Sequence, residues 1–190
     1  VLFRSDGYEG HYTQVFPLLK EYGYPATFSV FTDKIDGKIV GRSTLTWAQL
    51  QEMAANPLVT IAAHSLSHPP DLTQIPPEQM VQEVQQSKQR LEEKLGIPIH
   101  YFTYPEGHYN QAIEAAVTQA GYRAALTMDD FDERYAEQSE NLLAISRFGQ
   151  SRLAEIAPTA SGGFQLPPLR FGFDFNSPIE PPEHTTIDGV

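Results

Sequence analysis

The sequence predicts a barrel-like α/β fold built on a parallel sheet. Two observations predict it. Strand-like and helix-like segments alternate along the 190-residue chain, and alternation demands crossover connections between parallel strands. The helical segments also carry their own start and stop residues, so each reads as a separate crossover. The number of repeats favours a barrel over a small open sheet, although alternation alone does not separate the two.

The elements follow in order. The first three residues are a short apolar stretch. A helix is expected over 11–22, with Tyr12, Val15, Phe16, Leu19 and Tyr22 at helical spacing, Gly23 as its C-terminal cap and Pro25 blocking continuation. Residues 26–31 are rich in β-formers and predict a strand. Thr46 is placed to cap a helix over 47–55, which Pro57 ends. A buried strand is expected over 58–63. The clearest helix is Pro77–Leu95, where Met80, Val84, Leu91 and Leu95 form a stripe and Gly96 follows. Further strands are expected over 99–103, 122–127 and 142–147, with a helix over 111–120 capped by Asn110 and Gly121. Residues 1–156 read as one domain. Residues 157–190 change character, with many prolines and glycines, one arginine and no lysine, and read as a tail or linker.

Composition narrows the partners. The formal charge is −11, which argues against a nucleic acid, because phosphate recognition needs clustered Lys and Arg. A neutral or cationic substrate fits better. No run approaches ~18 apolar residues, so no membrane span is expected in this segment. The absence of cysteine excludes disulfides, thiolate catalysis and Cys-ligated zinc.

Three segments carry chemistry. His64 and His68 leave a predicted strand with three residues between them and Pro69-Pro70 after. Such a pair reaches one metal ion if the backbone turns there, and neutral imidazole is a good zinc ligand. No Glu follows the first His, so this is not the helical zincin pattern. Two unrelated surface histidines would look the same by spacing alone. A catalytic metal usually keeps a third protein ligand and an open position, and Asp6, at the end of the first strand, is the best candidate. Taken alone, Asp6-Gly7 is a turn signal. Strand C-terminal ends gather reactive groups in parallel α/β folds, so the three residues can converge. The third segment is Phe102-Thr103-Tyr104-Pro105-Glu106-Gly107-His108-Tyr109-Asn110. It is either a rigid strand-to-helix turn or a loop aiming an N–H at a developing oxyanion.

Together these segments resemble the NodB-homology polysaccharide deacetylases, carbohydrate esterase family 4, over roughly residues 1–150. The family's T-F-D-D-G-Y is occupied by Phe3-Arg4-Ser5-Asp6-Gly7-Tyr8, and its H-[ST]-x-x-H is matched in full by His64 to His68. The third segment is similar to the F-x-Y-P-x-G-x-Y-N version of one branch. Pro25-Ala26-Thr27-Phe28 and Thr46-Trp47 also look like family signatures. The resemblance implies a distorted (β/α) barrel, here incomplete at its first strand. It implies one divalent ion on Asp6, His64 and His68, with zinc expected and cobalt, nickel or manganese also accommodated by such a donor set. It implies hydrolysis of N-acetyl groups on a glycan of N-acetylated amino sugars, with the Tyr104 backbone N–H facing the oxyanion. Tyr104, Pro105 and Tyr109 are expected to touch substrate, and Trp47 is a further aromatic candidate. The family works mostly outside the cytoplasm, so an extracytoplasmic or secreted location is expected. The glycan and the oligomeric state stay open.

Two departures matter. Ser5 stands where the family has its general base, an Asp, and a hydroxyl has no useful basicity near neutral pH; losing a positioned base costs about 10²–10⁴ in rate. The family's late Leu-x-x-His, which supplies the general acid, is not evident, and His184 matches it poorly. Arg147, after a predicted strand, is read either as a catalytic or orienting group or as a structural ion-pair partner. Residues 1–5 also match one translated frame of a common sequencing adapter, GTGCTCTTCCGATCT, and the family pattern resumes at Asp6. They are therefore read as non-native, on a chain truncated at its N-terminus, with Asp expected naturally at position 5. The alternatives to a deacetylase are an esterase or other amidohydrolase on the same fold, and a carbohydrate-binding pseudoenzyme.

Overall fold

A computed structural model describes residues 2–128 and 139–147. The expected tail at 157–190, with His184, lies outside these residues. Five parallel strands make the main sheet: β1 (Leu2–Arg4), β2 (Ala26–Val30), β5 (Val59–Ala63), β6 (Tyr101–Thr103) and β7 (Ala124–Leu126), in the spatial order β1-β2-β5-β6-β7. Their registers include Phe3↔Thr27, Thr27↔Thr60, Ala63↔Phe102 and Phe102↔Ala125. Strands adjacent along the sheet are joined through helices α1 (Phe16–Tyr22), α2 (Trp47–Ala54), α3 (Pro77–Leu95) and α4 (Gln111–Gln119). Because the sheet never reverses its order, successive right-handed crossovers curl it in one sense. The result is a half-barrel with helices outside. The Arg147 guanidinium lies 4.5 Å from the Phe3 ring centroid, so the segment after β7 returns to β1.

Local signals explain the element ends. Thr46 and Gln49 form a complete capping box on α2. Asn110 accepts from the Ile113 N–H at the start of α4. Gly23 and Gly96 take left-handed caps (φ 67° and 69°) whose N–H groups bond the Leu19 and Glu92 carbonyls. The core gathers Phe28, Val30, Leu50, Met53, Val84, Leu91, Phe102 and Ile113, all essentially sealed from solvent. Each such side chain contributes roughly 1.5–3 kcal/mol of transfer free energy.

The structure corrects two expected elements. The helix expected over 11–22 begins as a π-turn, His11–Val15, and becomes α-helical only at Phe16. Pro17 has no N–H to give the ladder, and the Phe16 N–H reaches back to the His11 carbonyl instead. The strand expected over 142–147 reduces to one bridge, Leu126↔Ile145. A turn breaks it: the Ala144 N–H bonds the Asn141 carbonyl, and Asn141 Oδ1 accepts from the Leu143 N–H.

A small hairpin, β3 (Lys38–Ile39) and β4 (Arg42–Ser43), gave no clear sequence signal. It pins the loop after β1, since the Glu9 N–H bonds Ser43 O at 3.0 Å and the Leu45 N–H bonds Gly7 O at 2.9 Å. No helix among the described residues is long and apolar enough to cross a membrane.

Candidate metal centre

Asp6, His64 and His68 meet at the C-terminal ends of β1 and β5. Asp6 Oδ1 lies 3.6 Å from His64 Nε2 and 3.8 Å from His68 Nε2. One potential ligand atom from each residue falls within 4.8 Å of the others.

The backbone is bent to bring them there. Asp6 (φ 74°) and Gly7 (φ 77°) are both left-handed, which turns the chain sharply as it leaves β1. A Cβ on Gly7 would also meet Val30 Cγ1 at 3.2 Å. His64 continues β5, its N–H bonding the Val30 carbonyl at 3.0 Å. Ser65 (φ 65°) and His68 (φ 60°) then reverse the loop, and Ser65 Oγ accepts from the His68 N–H at 3.0 Å. Left-handed non-glycine residues are uncommon and collect where function over-determines the backbone.

The His64 imidazole is buried, and its Nδ1 lies 2.8 Å from the Thr103 carbonyl oxygen. A carbonyl only accepts, so Nδ1 carries the proton and Nε2 presents its lone pair toward Asp6. Burial holds the His64 pKa below the usual histidine value, which keeps the ring neutral. The Asp6 side chain is about one-third exposed, so its carboxylate is ionised near neutral pH. A lone pair and a carboxylate oxygen facing each other at 3.6 Å repel unless a cation lies between them. The donor set, one carboxylate and two imidazoles, therefore fits a divalent metal.

The structure places the other expected residues less uniformly. Ser5 sits beside Asp6 at the end of β1. The Tyr104 N–H does not face the site: it donates to Leu126 O at 3.0 Å in the β6–β7 ladder. The expected oxyanion role of that N–H is thereby corrected. Tyr104 and Pro105 are also buried, so neither offers substrate a free surface as expected. The Tyr104 hydroxyl donates to Leu143 O at 2.9 Å, and its ring stacks on Tyr109 at 5.0 Å. Tyr109 is half-buried. Pro105 has no N–H, so the first donor after the ladder is the Glu106 N–H. Glu106 is exposed, left-handed (φ 51°), and its N–H has no acceptor among the described residues.

Arg147 donates from Nε to the Thr127 carbonyl at 2.7 Å. Burial lowers its pKa to about 10, against the opposing pull of Asp6 and Glu106, so it stays charged at neutral pH within electrostatic reach of both. Trp47 packs against the core, with Lys94 Nζ 5.9 Å from its ring.

Two contributors escaped sequence reasoning. Glu83, buried on α3, accepts from the backbone of the His64–His68 loop. A carboxylate three residues after Met80, on the apolar stripe, was the signal that could have found it. His11 packs 5.5 Å from Phe28, and nothing in its local sequence marks it.

Residues 4–125 match the family described as polysaccharide deacetylase. The chain belongs to that family. It is 30% identical over 159 residues to YxkH of Bacillus subtilis (strain 168), whose name places it among the polysaccharide deacetylases; the match covers 83% of this chain and 51% of that one. It is 33% identical over 76 residues to the poly-beta-1,6-N-acetyl-D-glucosamine N-deacetylase of Escherichia coli (strain K12), covering 34% of this chain and 11% of that protein. Among solved structures, the Streptococcus pyogenes deacetylase PplD, captured with acetate, superposes with a TM-score of 0.68 at 27% identity, covering 77% of this chain and 62% of that one. The chain thus spans about half the length of its B. subtilis relative.

Proposed function

We propose that this chain binds one divalent cation, zinc in the first instance, through Asp6, His64 and His68, and hydrolyses N-acetyl groups on an exported glycan of N-acetylated amino sugars. The observation that carries the reading is the convergence of these three donors within 4.8 Å at two strand ends. The named substrate of the E. coli relative supports an amino-sugar polymer.

When bound, such a cation supplies Lewis acidity toward an acetamide carbonyl and acidifies water. The protein's own residues do the rest. Asp6, ionised, and His64, neutral, hold the donor set in its binding form. The Glu106 N–H, which has no acceptor among the described residues, is the donor for the oxyanion in place of the Tyr104 N–H. Arg147 adds positive potential beside Asp6 and Glu106. Half-buried Tyr109 supplies a sugar-facing ring. In the overall reaction a water oxygen attacks the acetyl carbonyl carbon, the C–N bond breaks, the sugar nitrogen takes a proton, and acetate leaves.

The step this chain performs poorly is taking a proton from water. Ser5 stands beside Asp6 where a carboxylate would act, and its hydroxyl is not a base at neutral pH. The chain as it stands is therefore a slow enzyme. Ser5 equally favours a second reading, a glycan-binding protein without turnover. Elemental analysis beside a His64→Ala/His68→Ala variant tests the metal: about one zinc-class ion per chain, lost in the variant, is expected. No uptake by either protein, even with added zinc, would sink the hydrolytic reading. Acetate release from acetylated glycans then separates slow enzyme from binder.

A further inference from the structure

The His64–His68 loop is fastened to α3 by one side chain. Glu83 is 3% exposed. Its Oε2 accepts from the Leu66 N–H at 2.9 Å and the Ser67 N–H at 2.8 Å, and its Oε1 accepts from Ser67 Oγ at 2.5 Å. No Lys, Arg or His pairs with it among the described residues. A carboxylate taken from water without a counter-ion is strongly disfavoured unless its lone pairs are satisfied. Here two loop amides and the Ser67 hydroxyl satisfy them, so the burial of Glu83 and the shape of the loop depend on each other.

Those bonds fall on the two central residues of the loop. The next residue on either side, Ser65 and His68, is left-handed. Each such backbone state is strained, and the charge-assisted bonds from Glu83 offset that strain. Released from Glu83, His68 would relax toward an ordinary φ and carry its imidazole away from Asp6. Sequence spacing makes a two-histidine site conceivable, whereas this bracing makes it pre-formed.

We propose that Glu83 is a positioning residue for the metal centre, holding His68 in its ligating orientation through Leu66 and Ser67. The inference rests on the metal-binding reading above. A Gln at position 83 separates geometry from charge. Its carbonyl oxygen accepts both amides, and its NH₂ faces Ser67 Oγ, which then accepts; Ala keeps none of these bonds.

The test measures zinc and cobalt affinity of the chain, E83A and E83Q by chelator competition. The visible spectrum of the cobalt-loaded proteins is a second readout, and far-UV circular dichroism reports folding. E83A is expected to weaken binding about 10–100-fold, the range typical of outer-shell partners, and to alter the cobalt absorption. E83Q should restore both to near the native values. A folded E83A with native affinity and spectrum overturns the proposal, as does E83Q binding as weakly as E83A. If E83A does not fold, S67A replaces it, having lost only the Oε1 bond: weakened binding supports the brace, and native binding overturns it. A native chain that takes up neither metal overturns the metal reading and the brace together. Native uptake with an unaffected variant overturns the brace alone.

Discussion

His64 Nδ1 and the Thr103 carbonyl oxygen lie 2.8 Å apart, although 39 residues separate them in the chain. The bond ties β5 to β6 and fixes which imidazole nitrogen is free. Nitrogen-15 NMR of the imidazoles should find His64 protonated at Nδ1 both before and after zinc addition, with the shift change confined to Nε2. A proton on Nε2 in the metal-free protein would contradict the arrangement.

Replacing Ser5 by Asp should raise the rate of acetate release about a hundredfold or more, with little change in zinc affinity, because the base acts on water and does not ligate. Steady-state kinetics on acetylated glycan oligomers would show this. No gain on any acetylated glycan would favour the binding reading.

Gly107→Ala should destabilise the fold by about 2–4 kcal/mol in urea unfolding. Gly107 is left-handed (φ 79°), and an added Cβ would lie 2.5 Å from Met128 N and 2.6 Å from Met128 Cβ. The loop between β6 and α4 therefore has no room to shift without moving the exit of β7.

Burial, reinforced by Arg4, depresses the His11 pKa from 6.5 to about 4. Its Nδ1 is buried without a hydrogen-bond partner among the described residues. Between those two values the unfolded chain binds the proton and the folded chain does not. Stability is then lost as pH falls from about 6.5 toward 4, by on the order of 3 kcal/mol from this residue. Urea titrations of the chelated protein across that range should show the slope, and His11→Gln should flatten it.

Much of the fold was legible because its helices are punctuated by residues with one physical role. Thr46, Asn110, Gly23 and Gly96 each cap where their chemistry predicts. The three donor residues were legible because each follows a strand, and parallel strands bring their C-terminal ends together. The hairpin at Lys38–Ile39 and Arg42–Ser43 was not, since two-residue strands have no periodicity to read. The Tyr104 N–H was misread because only the register Thr103↔Leu126, set by distant segments, shows that the ladder consumes it. Glu83 was missed for a related reason: its place on the apolar stripe of α3 marks it as buried, but its partners, the Leu66 and Ser67 amides and the Ser67 hydroxyl, lie 16–17 residues away on another element.

Parallel pairing has a consequence for how the chain acquires this site. Leu2 pairs with Ala26, Ala63 with Phe102 and Phe102 with Ala125, so each contact closes a long loop before it is rewarded. Asp6 meets His64 only after β2 has been inserted between their strands, and Thr103 orients His64 only once β6 has docked. The donors thus depend on non-local pairing, which closes slowly, and are expected to assemble late in folding. Zinc supplied during refolding would leave the folding rate nearly unchanged and act by slowing unfolding.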